Sequence, residues 1–258
     1  MHFGICCKPD QLAAVKAAGF DYAELALSAI VAMDDTAFVA FCQKMEQIGF
    51  RIEVTNGFFP SHIPLVGDNA DLDRITAYTQ KALARAKTLG VQIAVLGSGV
   101  ARKTPQGFSP VVAREQFKRL LSLCGDIAAQ HGIRIALEPL NAGETDLINT
   151  VAQGLELCHE VDHPQVGCLV DFYHAFMSGE SLDAVETAGN RLIHAHIARP
   201  NRDRGVPAPE DMPTIHRWAQ ALRTCGYTAR LSFEGRYGDS DLAAIRQMIA
   251  YFDEERTI

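Results

Sequence analysis

Positive charge is scarce in this chain: 24 Lys and Arg stand against 31 Asp and Glu, for a formal net charge of −7. Grip on a phosphate backbone needs cations clustered over a broad face, so no nucleic-acid partner is expected. Long apolar runs are missing too. No stretch stays apolar for the roughly 20 residues a bilayer-crossing helix needs, and no basic segment followed by an apolar one stands at the beginning. No membrane partner is therefore expected, and the expected location is cytoplasmic. The seven cysteines are scattered and never spaced as zinc-binding pairs, so they read as reduced side chains, mostly within apolar segments. Low-complexity and linker-like segments are absent, which favours one domain over residues 1–258. The fingerprint of a dinucleotide-binding fold is missing as well. No G-x-G-x-x-G follows the first apolar run, and Gly97-Ser98-Gly99 is too short to stand in for it.

What the chain does have is alternation. Short apolar runs at 3–7, 22–27, 51–54, 92–96, 133–137, 166–171, 192–196 and 231–234 are separated by helical patterns. The expected helices end near Gly19, run from Asp34 to Gly49 and cover 71–90, 111–132, 151–161, 181–189, 213–226 and 241–252. Several stop at glycine. Eight such repeats at roughly thirty-residue spacing predict an α/β fold of the (β/α)8 TIM barrel type.

The stretch RIALEPLNAGE, 134–144, organises the functional reading. An alternating apolar run ends abruptly in Glu138, and a carboxylate at the lip of a buried strand is costly unless a cation or proton meets it. The pattern recurs: VGCLVD ends in Asp171, LIHAH in His196 and LSFE in Glu234. In a barrel, catalytic side chains sit at the C-terminal ends of strands. Two Glu, one Asp and one His make a mostly oxygen donor set, suited to Mn²⁺ or Mg²⁺ and tolerant of Co²⁺ or Zn²⁺. Such an ion polarises a hydroxy-ketone and favours an enediolate, with Glu138 and Glu234 as the candidate bases.

Together, LEPLN, VDFYH, HAH and FEG resemble the xylose isomerase-like TIM barrels, in particular the D-tagatose and D-psicose 3-epimerase group. The resemblance implies a metal-dependent sugar isomerase or epimerase. It implies Glu138, Asp171, His196 and Glu234 as metal ligands, with Glu138 and Glu234 as the acid/base pair on opposite faces of the substrate. Substrate contacts are implied from Glu144, His174, Arg202 and Asn141. The loop after His196 keeps Asn201-Arg202 but departs from the group's glycine-rich, acidic continuation.

Arg102, Lys103, Arg199, Arg202, Arg204 and Arg236 all follow strand ends, so an anionic carbohydrate, a sugar phosphate or sugar acid, is weighed evenly against merely solvated cations. Asp171 also suits a helix N-cap. His194 is read as structural, facing away from His196. His62 is read as surface, and Glu24 is undecided between the barrel mouth and a core ion pair. Phe58, Phe59, Phe108, Phe172, Tyr173 and Trp218 are weighed as an apolar substrate wall, but core packing is their expected fate. Rival functions are a dehydratase of a keto-sugar or keto-cyclitol, which shares the first proton abstraction, a non-catalytic sugar-binding barrel, and an apurinic endonuclease. The last is disfavoured by Asn56 and Ser98 where its histidines would stand. A homo-oligomer is compatible with the outer helices.

Overall fold

Each apolar run becomes a strand: β1 (His2–Cys6), β2 (Tyr22–Ala26), β3 (Ile52–Asn56), β4 (Ile93–Leu96), β5 (Arg134–Leu137), β6 (Val166–Asp171), β7 (Leu192–Ile197) and β8 (Arg230–Phe233). The computed structural model describes residues 1–252. All neighbouring strands pair in parallel in chain order, and β8 closes on β1 through Phe3 against Leu231 and Ile5 against Phe233. The result is a closed (β/α)8 TIM barrel. Among the described residues, no helix is long and apolar enough to cross a membrane.

The helices are α1 (Leu12–Ala17), α2 (Leu27–Ala32), α3 (Asp35–Ile48), α4 (Leu72–Thr88), α5 (Pro110–His131), α6 (Val151–Val161), α7 (Phe172–Met177), α8 (Asp183–Glu186), α9 (Met212–Thr224) and α10 (Leu242–Ile249). Local chemistry sets their ends. The carboxylates of Asp34 and Asp71 and the hydroxyls of Ser109 and Thr150 each accept a backbone N–H from the first turn that follows. Gly49 and Gly132 terminate α3 and α5 in the left-handed conformation. Two helices were not expected from the pattern, α2 and α7. Both start directly at a strand end, and their six residues are too few for a helical period to register. The helix expected over 181–189 contracts to Asp183–Glu186, followed by a single 3-10 turn.

Alternation along each strand divides the core in two. Outward side chains such as Phe3, Ile5, Leu96, Ile135 and Val170 pack against the helices. A smaller cluster, Tyr22, Val54, Ile93, Val95, Ala136, Leu169 and Ile193, fills the inside of the barrel. That apolar plug floors the barrel, so the polar residues above it sit at the C-terminal mouth.

Candidate metal centre

Glu138 directly follows β5, Asp171 ends β6, His196 lies near the end of β7, and Glu234 directly follows β8. Because all four have the inward parity, their ligand atoms converge to within 4.8 Å of one another. Glu138, Asp171 and His196 are buried, and Glu234 is partly open. Gly97, just past β4, makes room for this convergence. A Cβ there would lie 2.2 Å from Oε2 of Glu138.

One carboxyl oxygen of Asp171 has each of the two roles considered from sequence. Oδ1 accepts the Tyr173 N–H at 2.8 Å and caps α7, while Oδ2 faces the cluster. Asn56 donates from Nδ2 to Oε1 of Glu234 at 3.0 Å, a role that its position on β3 did not reveal.

Glu24 is settled by the structure. Fully buried on β2, it accepts from Nε2 of His196 at 3.0 Å and stands 3.0 Å from Nε2 of His194. His194 therefore faces the same way as His196, contrary to expectation. Residues two apart on a strand share a face, and the two imidazole rings meet edge-on at 4.8 Å. Burial alone would raise the Glu24 carboxyl, but the two imidazoles hold it down at about 2. Burial lowers His194, whose Nδ1 has no partner among the described residues. His196 goes the other way: burial opposes its charge, yet Glu24 and Glu234 lift it well above the usual imidazole range. With Nε2 engaged by Glu24, Nδ1 is the nitrogen facing the carboxylates, 2.9 Å from Glu234 and 3.3 Å from Glu138.

A cation already sits among these groups. Nη2 of Arg204 lies 2.5 Å from Oδ2 of Asp171 and 2.6 Å from Oε2 of Glu234, and its guanidinium stacks 4.7 Å over the Tyr173 ring. Against burial, Arg204 and His196 hold the Glu234 carboxyl well below its usual range. Glu138 is raised, by burial and by Glu234 beside it. Two carboxylates, Asp171 and Glu234, gather a guanidinium between them, with Glu138 beside them, and form a site built for positive charge. The donor set therefore fits a hard divalent ion, with Glu138, Asp171, Glu234 and Nδ1 of His196 as the residues that would hold it.

Three of the expected substrate residues lie beside the cluster. Nδ1 of His174 is 2.7 Å from Nδ2 of Asn141, which leaves Nε2 facing Asp171 at 3.5 Å and Glu144 at 3.9 Å. Asn141 also donates to Glu144 at 3.4 Å. Arg202 stands apart, exposed on its loop, while Arg204 two residues on enters the site.

The expected cationic face contracts. Arg102 is completely buried and donates to the carbonyl of Glu138, so it braces the loops rather than facing a ligand. Arg199 is tied to Glu210 and Asp211. Arg236 does line a cleft of about 590 Å³ at the mouth, but Asp10 and Asp239 line it as well as Lys8. The same cleft reaches Glu24 and Asn56, the neighbours of His196 and Glu234. Of the aromatic residues, Phe58, Phe59, Phe172 and Trp218 are core, and Tyr173 supports Arg204. His62 is exposed.

Residues 12–255 match the family model described as xylose isomerase-like TIM barrel. A probable ketose 3-epimerase of Synechocystis sp. is 34% identical over 140 residues, covering 52% of this chain and 47% of that one. The chain thus spans about half the length of that relative. A D-psicose 3-epimerase of Agrobacterium fabrum is 27% identical over 223 residues, covering 84% of this chain and 75% of that one. In three dimensions, a D-psicose 3-epimerase crystallised in the presence of D-fructose superposes with a TM-score of 0.80 at 22% identity, over 98% of this chain and 94% of the other. A 3-keto-D-glucoside 4-epimerase from E. coli gives 0.77 at 22% identity, over 98% and 99%. At these identities the superpositions establish the shared fold.

Proposed function

The chain belongs to the xylose isomerase-like TIM barrel family, and from that premise we propose that it is a divalent-metal-dependent epimerase or isomerase of a ketose or related hydroxy-ketone. The observation that carries this reading is the convergence of Glu138, Asp171, His196 and Glu234 within 4.8 Å at the barrel mouth. Relatives named as ketose, psicose and ribulose 3-epimerases and as a 3-dehydro-D-guloside 4-epimerase support the same class. Mn²⁺ or Mg²⁺ is the proposed ion, with Co²⁺ or Zn²⁺ tolerated, and when bound it supplies Lewis acidity toward adjacent substrate oxygens.

The residues divide the remaining work. Glu138 and Glu234, reaching the site from strands on either side of β6 and β7, exchange a proton with the carbon next to the carbonyl. Removal by one carboxylate and return by the other on the opposite face inverts that carbon through an enediolate. Asn141, Glu144 and His174 orient substrate hydroxyls. We leave Arg202 out of this set, since its side chain is exposed and makes no hydrogen bond to the cluster. A neutral sugar is the proposed substrate rather than a phosphorylated one, because Arg102 and Arg199 are each taken up by internal acceptors.

The test is solvent deuterium incorporation, by NMR and mass spectrometry, into neutral ketoses, sugar phosphates and keto-cyclitols with Mn²⁺ present. Exchange at the carbon beside the carbonyl, lost in Glu234→Gln, with an isobaric product, is the expected result. Loss of water from the product would make the enzyme a dehydratase. No exchange with any compound would remove the enediolate chemistry.

A further inference from the structure

Arg204 is held twice over. Its backbone carbonyl accepts the Arg236 N–H at 2.7 Å, and Nε donates to the Glu234 carbonyl at 3.0 Å. Its φ of +51° is a left-handed conformation that a non-glycine residue adopts only with such support. Gly235 permits the approach, since a Cβ there would stand 2.5 Å from the Arg204 carbonyl oxygen. The loop after β7 is thus latched to the loop after β8 by main chain, next to Glu234. Rotation of the guanidinium gives up the Nε bond to the Glu234 carbonyl but leaves the main-chain bond from Arg236 to Arg204 intact.

Nη2 reaches Oδ2 of Asp171 and Oε2 of Glu234, carboxylate oxygens of two residues in the metal-competent set. A divalent ion bound to those atoms at roughly 2.0–2.2 Å would overlap the guanidinium in space and repel it. The two cations are therefore alternatives. We propose that Arg204 is an internal cation of the metal centre, neutralising Asp171 and Glu234 in the metal-free chain and swinging off them when the metal enters. Tyr173 serves as its platform in the metal-free state, with the ring 4.7 Å from the guanidinium carbon. The device keeps the site formed without metal and sets how tightly metal binds, because the apparent affinity is the intrinsic one scaled by the fraction of chains with Arg204 withdrawn. This inference rests on the metal-site reading above.

The experiment is a Mn²⁺ titration of the full chain, stripped with chelator, followed by the EPR signal of free Mn²⁺ and by thermal melts with and without the ion. Wild type, Arg204→Gln and Arg204→Lys are compared. Arg204→Gln is expected to bind Mn²⁺ about tenfold more tightly while its metal-free form melts at lower temperature, so the melting shift caused by Mn²⁺ grows. Arg204→Lys, which keeps the charge without the planar fork, falls between the two. Unchanged or weaker Mn²⁺ binding in Arg204→Gln, with wild type binding normally, overturns the proposal and leaves the metal site standing. Absence of Mn²⁺ binding by wild type overturns both. If Arg204→Gln does not fold, Arg204→Lys decides alone, and wild-type affinity in that variant counts against the proposal.

Discussion

Nε2 of His196 donates to Oε1 of Glu24 across 3.0 Å, with both residues fully buried and 172 positions apart in the chain. A carboxylate behind a ligating imidazole fixes the ring and its tautomer, here leaving Nδ1 for the site. Replacing Glu24 with Gln or Ala is accordingly expected to weaken Mn²⁺ binding by about 10–100-fold, with Ala the more severe. Calorimetric or EPR titration checks this, with circular dichroism to show that the barrel persists. Wild-type affinity in Glu24→Ala would deny Glu24 its orienting role.

The same residue ties stability to acidity. The Glu24 carboxyl is held at about 2 in the folded chain against an ordinary value of 4.5, burial opposing and the two imidazoles prevailing. A depressed carboxyl stabilises the fold above its unfolded pKa, and the contribution is lost as pH falls from about 4.5 through about 2. Denaturant melts of wild type are expected to lose stability across that window. Glu24→Gln should show a flatter dependence there, and parallel curves for the two proteins would refute the linkage.

Metal uptake should release a proton. In the metal-free chain His196 is raised well above the usual imidazole range, despite burial, by Glu24 and Glu234. A ligating imidazole must give up the Nδ1 proton, so apparent Mn²⁺ affinity rises with pH until His196 loses that proton. Titrations in buffers of different ionisation enthalpy read the release directly. Chelator should abolish deuterium exchange into substrate, and added Mn²⁺ should restore it.

Gly97 offers a test of placement without loss of any functional group. Its added Cβ would stand 2.2 Å from Oε2 of Glu138, so Gly97→Ala must push that carboxylate aside. A misplacement of about 1 Å is expected to cost on the order of 100-fold in kcat/KM, with a small change in melting temperature. Retained activity in Gly97→Ala would mean that Glu138 does not need its observed position.

The proposed hydroxyl-orienting group predicts a different signature. His174→Ala removes the imidazole that links Asn141 to Asp171 and Glu144, and kcat/KM for a ketose is expected to fall by about 10–100-fold, as for loss of a hydrogen bond to a charged group. Mn²⁺ affinity should change far less. A loss confined to metal affinity would move His174 from the substrate side of the site to the metal side.

The sequence by itself determined the barrel and the places where chemistry could gather. Strand periodicity, glycine stops and short polar caps are local properties, and a polar residue that ends an apolar run reports its position at the strand's C-terminal lip. Glu138, Asp171, His196 and Glu234 stand out for that reason, and so, in principle, does the shared face of His194 and His196, which the two-residue period of a strand requires. The tertiary structure decided the rest, because it depends on contacts between distant segments. Glu24 becomes the partner of His196 only when pairing of β8 with β1 closes the barrel and brings β2 within reach of β7. Gly97 matters only once Glu138 lies against it. Six cations after strand ends look equivalent in sequence, yet folding buries Arg102 under carbonyls, ties Arg199 to acids and sends Arg204 rather than Arg202 into the site. The physical reason is that a loop's backbone conformation, here a left-handed turn latched to the neighbouring loop, fixes the direction of each side chain, and no local period encodes it.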